Sequence, residues 1–190
     1  MKEEIIIGID EVGRGPLAGP VTIGMVGVPV SYSTSSFKGI RDSKALSKER
    51  REEWFSGFKE HTHILFWKTK SASAKAIDTI GIEKCISRLI RDILKEVSEK
   101  NTKVLLDGRL RAPLRFAQET IVRGDQIEIP IMLASIVAKV RRDRLMERYG
   151  ILYPAYGFEV HKGYGTKRHI EAIQKNGLSD IHRKSFCKKL

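Results

Sequence analysis

The stretch Glu4-Ile5-Ile6-Ile7-Gly8-Ile9-Asp10-Glu11-Val12-Gly13-Arg14-Gly15-Pro16 changes character halfway along. Its first half is a short apolar, β-branched run, which reads as a buried strand. Its second half carries two carboxylates and then glycines, with Gly19 and Pro20 just beyond. Carboxylates at a strand end, opening a loop, lie where the ligands of open α/β sheets bind. Neighbouring side chains on an extended strand point to opposite faces. Asp10 and Glu11 are therefore expected to converge only if the strand ends there and turns, which Gly13 and Gly15 permit.

Working outward, Val21 to Val28 reads as a second strand, closed by Pro29 and the Ser/Thr-rich stretch 31–36. Residues 47–60 look helical, and His63 to Trp67 reads as a third strand. A long helix is expected over 79–99, because Ile82, Ile86, Leu89, Ile90, Ile93 and Val97 recur at spacings of three and four. Lys103 to Leu106 forms a fourth strand ending on Asp107, and Thr120 to Val122 a weaker fifth. A second long helix covers Ile131 to Tyr149, and a shorter one lies near 166–175. The pattern predicts an α/β sheet of mixed direction. Residues 1–190 form one domain, with those from about 150 onward as a C-terminal helical and basic extension.

The 190 residues carry 35 Lys+Arg against 23 Asp+Glu, a net charge of +12. Such a surplus suits a polyanionic partner, since neutralising phosphates releases counterions; many solvated surface lysines are the plainer alternative. No apolar run approaches the ~20 residues of a membrane span, and the acidic opening does not suit a signal peptide. The expectation is a cytoplasmic protein that does not engage membranes. Cys85 and Cys187 are too few and too far apart for a disulfide framework.

Against this basic background, Asp10, Glu11, Asp107 and Asp125 stand out, each beside a glycine or a strand end. Taken alone, any one of them reads more readily as a turn former or helix cap. Brought together, they would repel unless a cation lay among them. Hard oxygen ligands suit Mg²⁺ or Mn²⁺, and two such ions ~4 Å apart stabilise both the attacking and leaving oxygens of a phosphodiester hydrolysis. Lys44 and Lys48 flank a helix start, where a phosphate contact and a solvated face are both open readings. Ser135 and Lys139, four apart, share a helix face, with Lys139 a candidate phosphate contact. Asp143 is expected to organise ion pairs, and His161 and His182 to make structural hydrogen bonds.

Gly8 to Pro20 resembles the opening motif of type 2 ribonucleases H, specifically the bacterial ribonuclease HII family. Asp42-Ser43-Lys44-Ala45-Leu46-Ser47, Leu106-Asp107-Gly108, Gly124-Asp125, Ala134 to Arg144, Tyr156-Gly157-Phe158, His161 to Thr166 and His182 to Phe186 resemble its later motifs in order. Ala45 replaces a frequent lysine, and Gly81 stands where asparagine is common. Arg14, and a chain that starts directly at the first strand, favour this family over the related ribonuclease HIII group.

The resemblance implies an RNase H-like fold: a central five-stranded mixed sheet flanked by helices, with a helical C-terminal part. It implies metal-dependent endonucleolytic cleavage of RNA in RNA–DNA hybrids and of single ribonucleotides in duplex DNA. The cut falls 5′ of the ribonucleotide and leaves 3′-hydroxyl and 5′-phosphate ends. Asp10, Glu11, Asp107 and Asp125 would be the catalytic, metal-binding carboxylates for two Mg²⁺ or Mn²⁺ ions. Gly13, Arg14 and Gly15 would contact the ribose 2′-hydroxyl and adjacent phosphates, and Tyr164 would stack on the neighbouring sugar. Nucleic acid is the implied partner and the chain a monomer. Two alternatives stay open: a noncatalytic hybrid-binding module on the same fold, and another nuclease or resolvase on an RNase H-like sheet.

Overall fold

The computed structural model describes residues 4–40, 46–58, 60 and 64–188. The apolar opening forms the strand β1 (Ile5–Val12), at the centre of a five-stranded sheet. Beside it lies β2 (Val21–Pro29), antiparallel and buried along its whole length. Next comes the edge strand β3 (Phe66–Ala72), antiparallel to β2. On the other side β4 (Thr102–Asp107) runs parallel to β1, and β5 (Ala117–Ile121) parallel to β4. The order β3-β2-β1-β4-β5 is the mixed sheet expected.

The helices are α1 (Lys48–Gly57), α2 (Ala74–Ile80), α3 (Ile82–Ile93), α4 (Gly124–Ile127), α5 (Ile129–Leu152), α6 (Phe158–His161) and α7 (Lys167–Asn176). Among the described residues none is long and apolar enough to cross a membrane. One sheet face presents Ile7, Ile9, Ile23, Met25, Val104 and Leu106 to Ile86, Leu89, Ile90 and Ile93 of α3. The other presents Val26 and Val28 to Leu133, Ile136, Val137 and Val140 of α5. Trp54 and Trp67 pack against this second cluster.

Helix α5 lies hard against the sheet. A Cβ on Gly8 would stand 2.0 Å from the Pro130 backbone, and one on Gly24 2.2 Å from the Ala134 carbonyl. Only side-chain-free positions admit so close an approach. A third cluster, with Met146, Tyr156, Phe158 and Ile173, fastens the C-terminal residues to the end of α5.

The first strand, expected to close on Asp10 and Glu11, runs one residue further to Val12, with no turn at the two carboxylates. Three expectations need correction. The third strand lies at Phe66–Ala72 instead of 63–67, because an edge strand needs no continuous apolar run and here carries Lys68 and Lys70. The helix expected over 79–99 is two helices, broken at Gly81, whose φ of 83° no helix continues through, and α3 ends at Ile93. The weak strand is Ala117–Ile121, and Asp125 lies on the one-turn α4 after it.

Candidate active site

Asp10 sits near the end of β1 on the side of the sheet that faces α5, and is 2% exposed. Burial lifts its pKa from the ordinary carboxylate range to about 7; the Ser135 hydroxyl opposes that rise, while Asp107 and Glu11 add to it. Its Oδ1 accepts the Glu11 amide at 2.7 Å, whereas its Oδ2 is buried with no hydrogen-bond partner among the described residues. A buried oxygen without a donor is costly.

Glu11, the next residue along an unbroken strand, projects from the opposite face. There Arg14 Nε bonds its Oε1 at 2.8 Å, and Arg14 also pairs with Glu83 of α3. Burial raises the pKa of Glu11, and Arg14 works against that rise. Asp107 ends β4, and its Oδ1 accepts the Asp125 amide at 3.3 Å. Asp125 is 1% exposed. The four acids thus occupy one neighbourhood at the ends of adjoining elements.

They do not form a closed ligand shell: among the described residues, no group of three or more His, Cys, Asp or Glu side chains is gathered to hold a metal. The extension of β1 past Asp10 and the hold of Arg14 on Glu11 account for this. Like charges without a cation among them have reason to stand apart. The donor chemistry still fits a divalent ion, since the sites are hard carboxylate oxygens and the buried Oδ2 of Asp10 has no donor among the described residues.

Beside these acids opens a cleft lined by Glu11, Gly13, Arg14, Gly15, Ser135, Lys139 and Tyr164. Lys139 pairs with Asp143 at 2.8 Å, the ion-pair role expected of Asp143. Lys48 pairs with Glu147 at 2.6 Å on the surface. Lys44, with Asp42, Ser43 and Ala45, lies outside the described residues.

The glycine turn is held from behind by two buried arginines. Arg183 donates to the carbonyls of Gly13, Arg14 and Gly19 at 2.6, 2.9 and 2.9 Å. Arg142 donates to those of Pro20 and Ala18 at 2.9 and 3.3 Å. Burial, and then the proximity of Arg142, brings the pKa of Arg183 down to about 10. Gly13 adopts φ 93°, and a Cβ there would stand 2.3 Å from Arg142 Nε.

The same turn receives the C-terminal segment. Leu17 and Ala18 donate their amides to Gly163 O, Gly19 to Ile181 O, and Arg183 in turn to Leu17 O. Tyr164 is thereby set at the cleft, 44% exposed as a residue, with its ring centroid 5.9 Å from the Arg142 guanidinium. His161, His169 and His182 pack beneath it, bonded mainly to backbone and to one another.

Arg51 also lines the cleft, and the sequence pattern marks neither it nor the supporting Arg142 and Arg183 as site residues. Ser135, which the helical spacing places on a face with Lys139, lies beside Asp10 and hydrogen-bonds its carboxyl. The one available signal was charged residues embedded in otherwise apolar or motif-bearing stretches.

Residues 7–189 match the family model described as ribonuclease HII. The chain is 42% identical over 182 residues to ribonuclease HII of Bacillus mycoides, covering 96% of this chain and 68% of that protein. It is 43% identical over 183 residues to that of Ruminiclostridium cellulolyticum, covering 96% and 70%. The fold matches ribonuclease H2 of Pyrococcus horikoshii with a TM-score of 0.82 at 23% identity, over 97% of this chain and 96% of that one. It matches the structure of a PCNA:RNase HII complex from Archaeoglobus fulgidus with a TM-score of 0.68 at 25% identity, over 94% and 93%. With residues 7–189 matching the family model and 96% of the chain aligned to each of the two bacterial relatives at 42–43% identity, the chain belongs to the ribonuclease HII family.

Proposed function

We propose that this chain is a divalent-metal-dependent endoribonuclease acting on RNA–DNA hybrids and on single ribonucleotides in duplex DNA, cutting 5′ of the ribonucleotide to leave 3′-hydroxyl and 5′-phosphate ends. Ribonuclease H-type hydrolysis itself goes with membership of the family. The observation that carries the finer reading is one shared cleft. Glu11, the Gly13–Gly15 turn, Lys139 and Tyr164 line it, with Asp10 buried alongside next to Ser135.

In this reading Asp10, Glu11, Asp107 and Asp125 hold two Mg²⁺ or Mn²⁺ ions. Such ions, when bound, stabilise charge on the attacking and leaving oxygens. The protein's own part is recognition and alignment. Gly13, Arg14 and Gly15 meet the ribose 2′-hydroxyl, the one group that marks a ribonucleotide at a given site. A glycine backbone can come that close because no Cβ intervenes. Arg142 and Arg183 keep the turn rigid by binding its carbonyls. Tyr164 lays its ring against the adjacent sugar, where an extra hydroxyl would crowd it. Lys139 and Lys44 meet phosphates. The setting we propose is a cytoplasmic monomer that removes ribonucleotides during DNA replication and repair.

The test is a DNA duplex containing one ribonucleotide, incubated with Mg²⁺ or Mn²⁺ beside an all-DNA control. Cleavage confined to the 5′ side of the ribonucleotide is expected. Binding without cutting, or equal cutting of both duplexes, would overturn the proposal.

A further inference from the structure

Helix α5 carries Arg141, Arg144 and Arg148 at spacings of three and four, so they share one helix face. With Leu145 they face Thr69 and Ser71 of β3 across a second cleft of about 360 Å³. Leu145 is the one apolar residue in that lining, so the cleft is a poor site for an apolar ligand.

Arg144 is already fixed. Its Nε bonds Glu52 of α1 at 3.1 Å, and its guanidinium lies 4.9 Å from the Phe55 ring. That pairing cancels the charge of Glu52. Arg141 and Arg148 are exposed and make no ion pair among the described residues. Ser71 Oγ and Thr22 Oγ1 lie 2.8 Å apart, which ties one hydroxyl of the cleft to the sheet.

The sheet register relates this cleft to the candidate active site. Asp10 pairs with Gly24, and Gly24 with Thr69; Val12 pairs with Thr22, and Thr22 with Ser71. Thr69 is therefore level with Asp10, two strands away, on the same face beneath α5. At ~4.8 Å per strand the separation is about 10 Å. Nucleic acid advances about 3.4 Å per phosphate along one strand, so 10 Å corresponds to roughly three nucleotides.

We infer that Arg141 and Arg148, with the hydroxyls of Thr69 and Ser71, bind backbone phosphates of the duplex flanking the cleaved position. Two guanidinium forks suit phosphate oxygens, and hydroxyls are common neutral partners of phosphate. These contacts carry no sequence information; they set the register of the duplex over the acidic site. The inference rests on the proposed function in taking the cleft beside Asp10 as the place of cleavage.

The experiment compares Arg141→Ala/Arg148→Ala with Lys95→Ala/Lys100→Ala, which removes the same charge from the loop that follows α3, on the opposite face of the sheet. All four side chains are exposed, so both variants should fold, and melting curves check this. Binding to a duplex containing one ribonucleotide is followed by fluorescence anisotropy without divalent metal, over a range of salt. Each phosphate contact contributes about 0.9 to the slope of log K against log salt. The arginine variant should lose about 1.8 of slope, and the lysine control close to none. An unchanged slope, or equal losses in both variants, would overturn the inference. Cleavage by the unmodified protein is read separately. If it fails to cut while the arginine variant still loses slope, the proposed function falls and the phosphate site stands.

Discussion

His182 donates its Nε2 proton to Nε2 of His169 across 3.0 Å, and the outer nitrogens of the two rings set that direction. His182 Nδ1 accepts the Ser179 amide at 2.9 Å, so its proton must sit on Nε2. His169 Nδ1 lies 2.9 Å from the Tyr164 carbonyl and must donate to it, leaving its Nε2 to accept. Two neutral, buried rings thus form a one-way relay from the Ser179 turn to the backbone of Tyr164, the aromatic residue at the cleft.

That relay makes the C-terminal block sensitive to acid. Burial, and then the neighbouring His169, depress the pKa of His182 to about 4. An unfolded histidine titrates near 6.5. Between those values the unfolded chain binds more protons than the folded one, so this contribution to stability is complete above about 6.5 and is lost as pH falls towards 4. The melting temperature of the protein should fall over that window more steeply than that of His182→Leu. Parallel curves for the two proteins would sink the relay as an acid-sensitive element.

Two glycines of the turn should separate folding from function. A Cβ at Gly13, with φ 93°, would meet Arg142 Nε at 2.3 Å and the Pro20 carbonyl at 2.7 Å, so Gly13→Ala should cost about 1–3 kcal/mol. A Cβ at Gly15 meets nothing within 4 Å. Gly15→Ala should therefore melt within about 0.5 kcal/mol of the parent and still lose most of its cleavage, because the new methyl occupies space meant for the ribose. Full activity in Gly15→Ala would show that the turn does not approach the substrate there.

How far the molecule could be read from its sequence depended on which physical term decided each part. Strands β1, β2 and β4 are apolar runs buried on both faces, and such runs announce themselves. Strand β3 is polar because only one neighbour and one face constrain it, so its position slipped. The break at Gly81 depends on a φ of 83°, which hydrophobic periodicity does not encode. The four acids were visible as charges out of place in a basic chain. Arg142 and Arg183 were not, because sequence shows that a residue is charged but not that it is buried. Their bonds to the turn span 122 to 170 residues of separation.

The buried carboxyl of Asp10 sets stability against function. With a pKa of about 7 and an oxygen that has no donor among the described residues, its ionised form is held at a cost in the metal-free protein. Asp10→Asn removes that charge and should raise the metal-free melting temperature at pH 8, by about 2–4 °C for each kcal/mol relieved. It should also abolish the further rise that Mn²⁺ gives the parent, and abolish cleavage while leaving duplex binding intact. Normal cleavage by the variant would remove Asp10 from the metal-binding set.

Arg14 holds the carboxylate of Glu11 at 2.8 Å and reaches Glu83 as well. Any ion bound by Glu11 must compete with that partly buried pair, worth ~1 kcal/mol. Arg14→Ala should therefore tighten Mn²⁺ binding, measured by calorimetry, by at most about fivefold, since 1.4 kcal/mol is tenfold. The same variant should weaken substrate binding, because it loses a cation facing the phosphates. Opposite shifts in the two affinities would identify Arg14 as a placeholder that leaves Glu11 when the ions arrive and turns to the nucleic acid. Weaker substrate binding with unchanged Mn²⁺ affinity would show instead that Glu11 gives up its arginine at no cost, and the competition would be refuted.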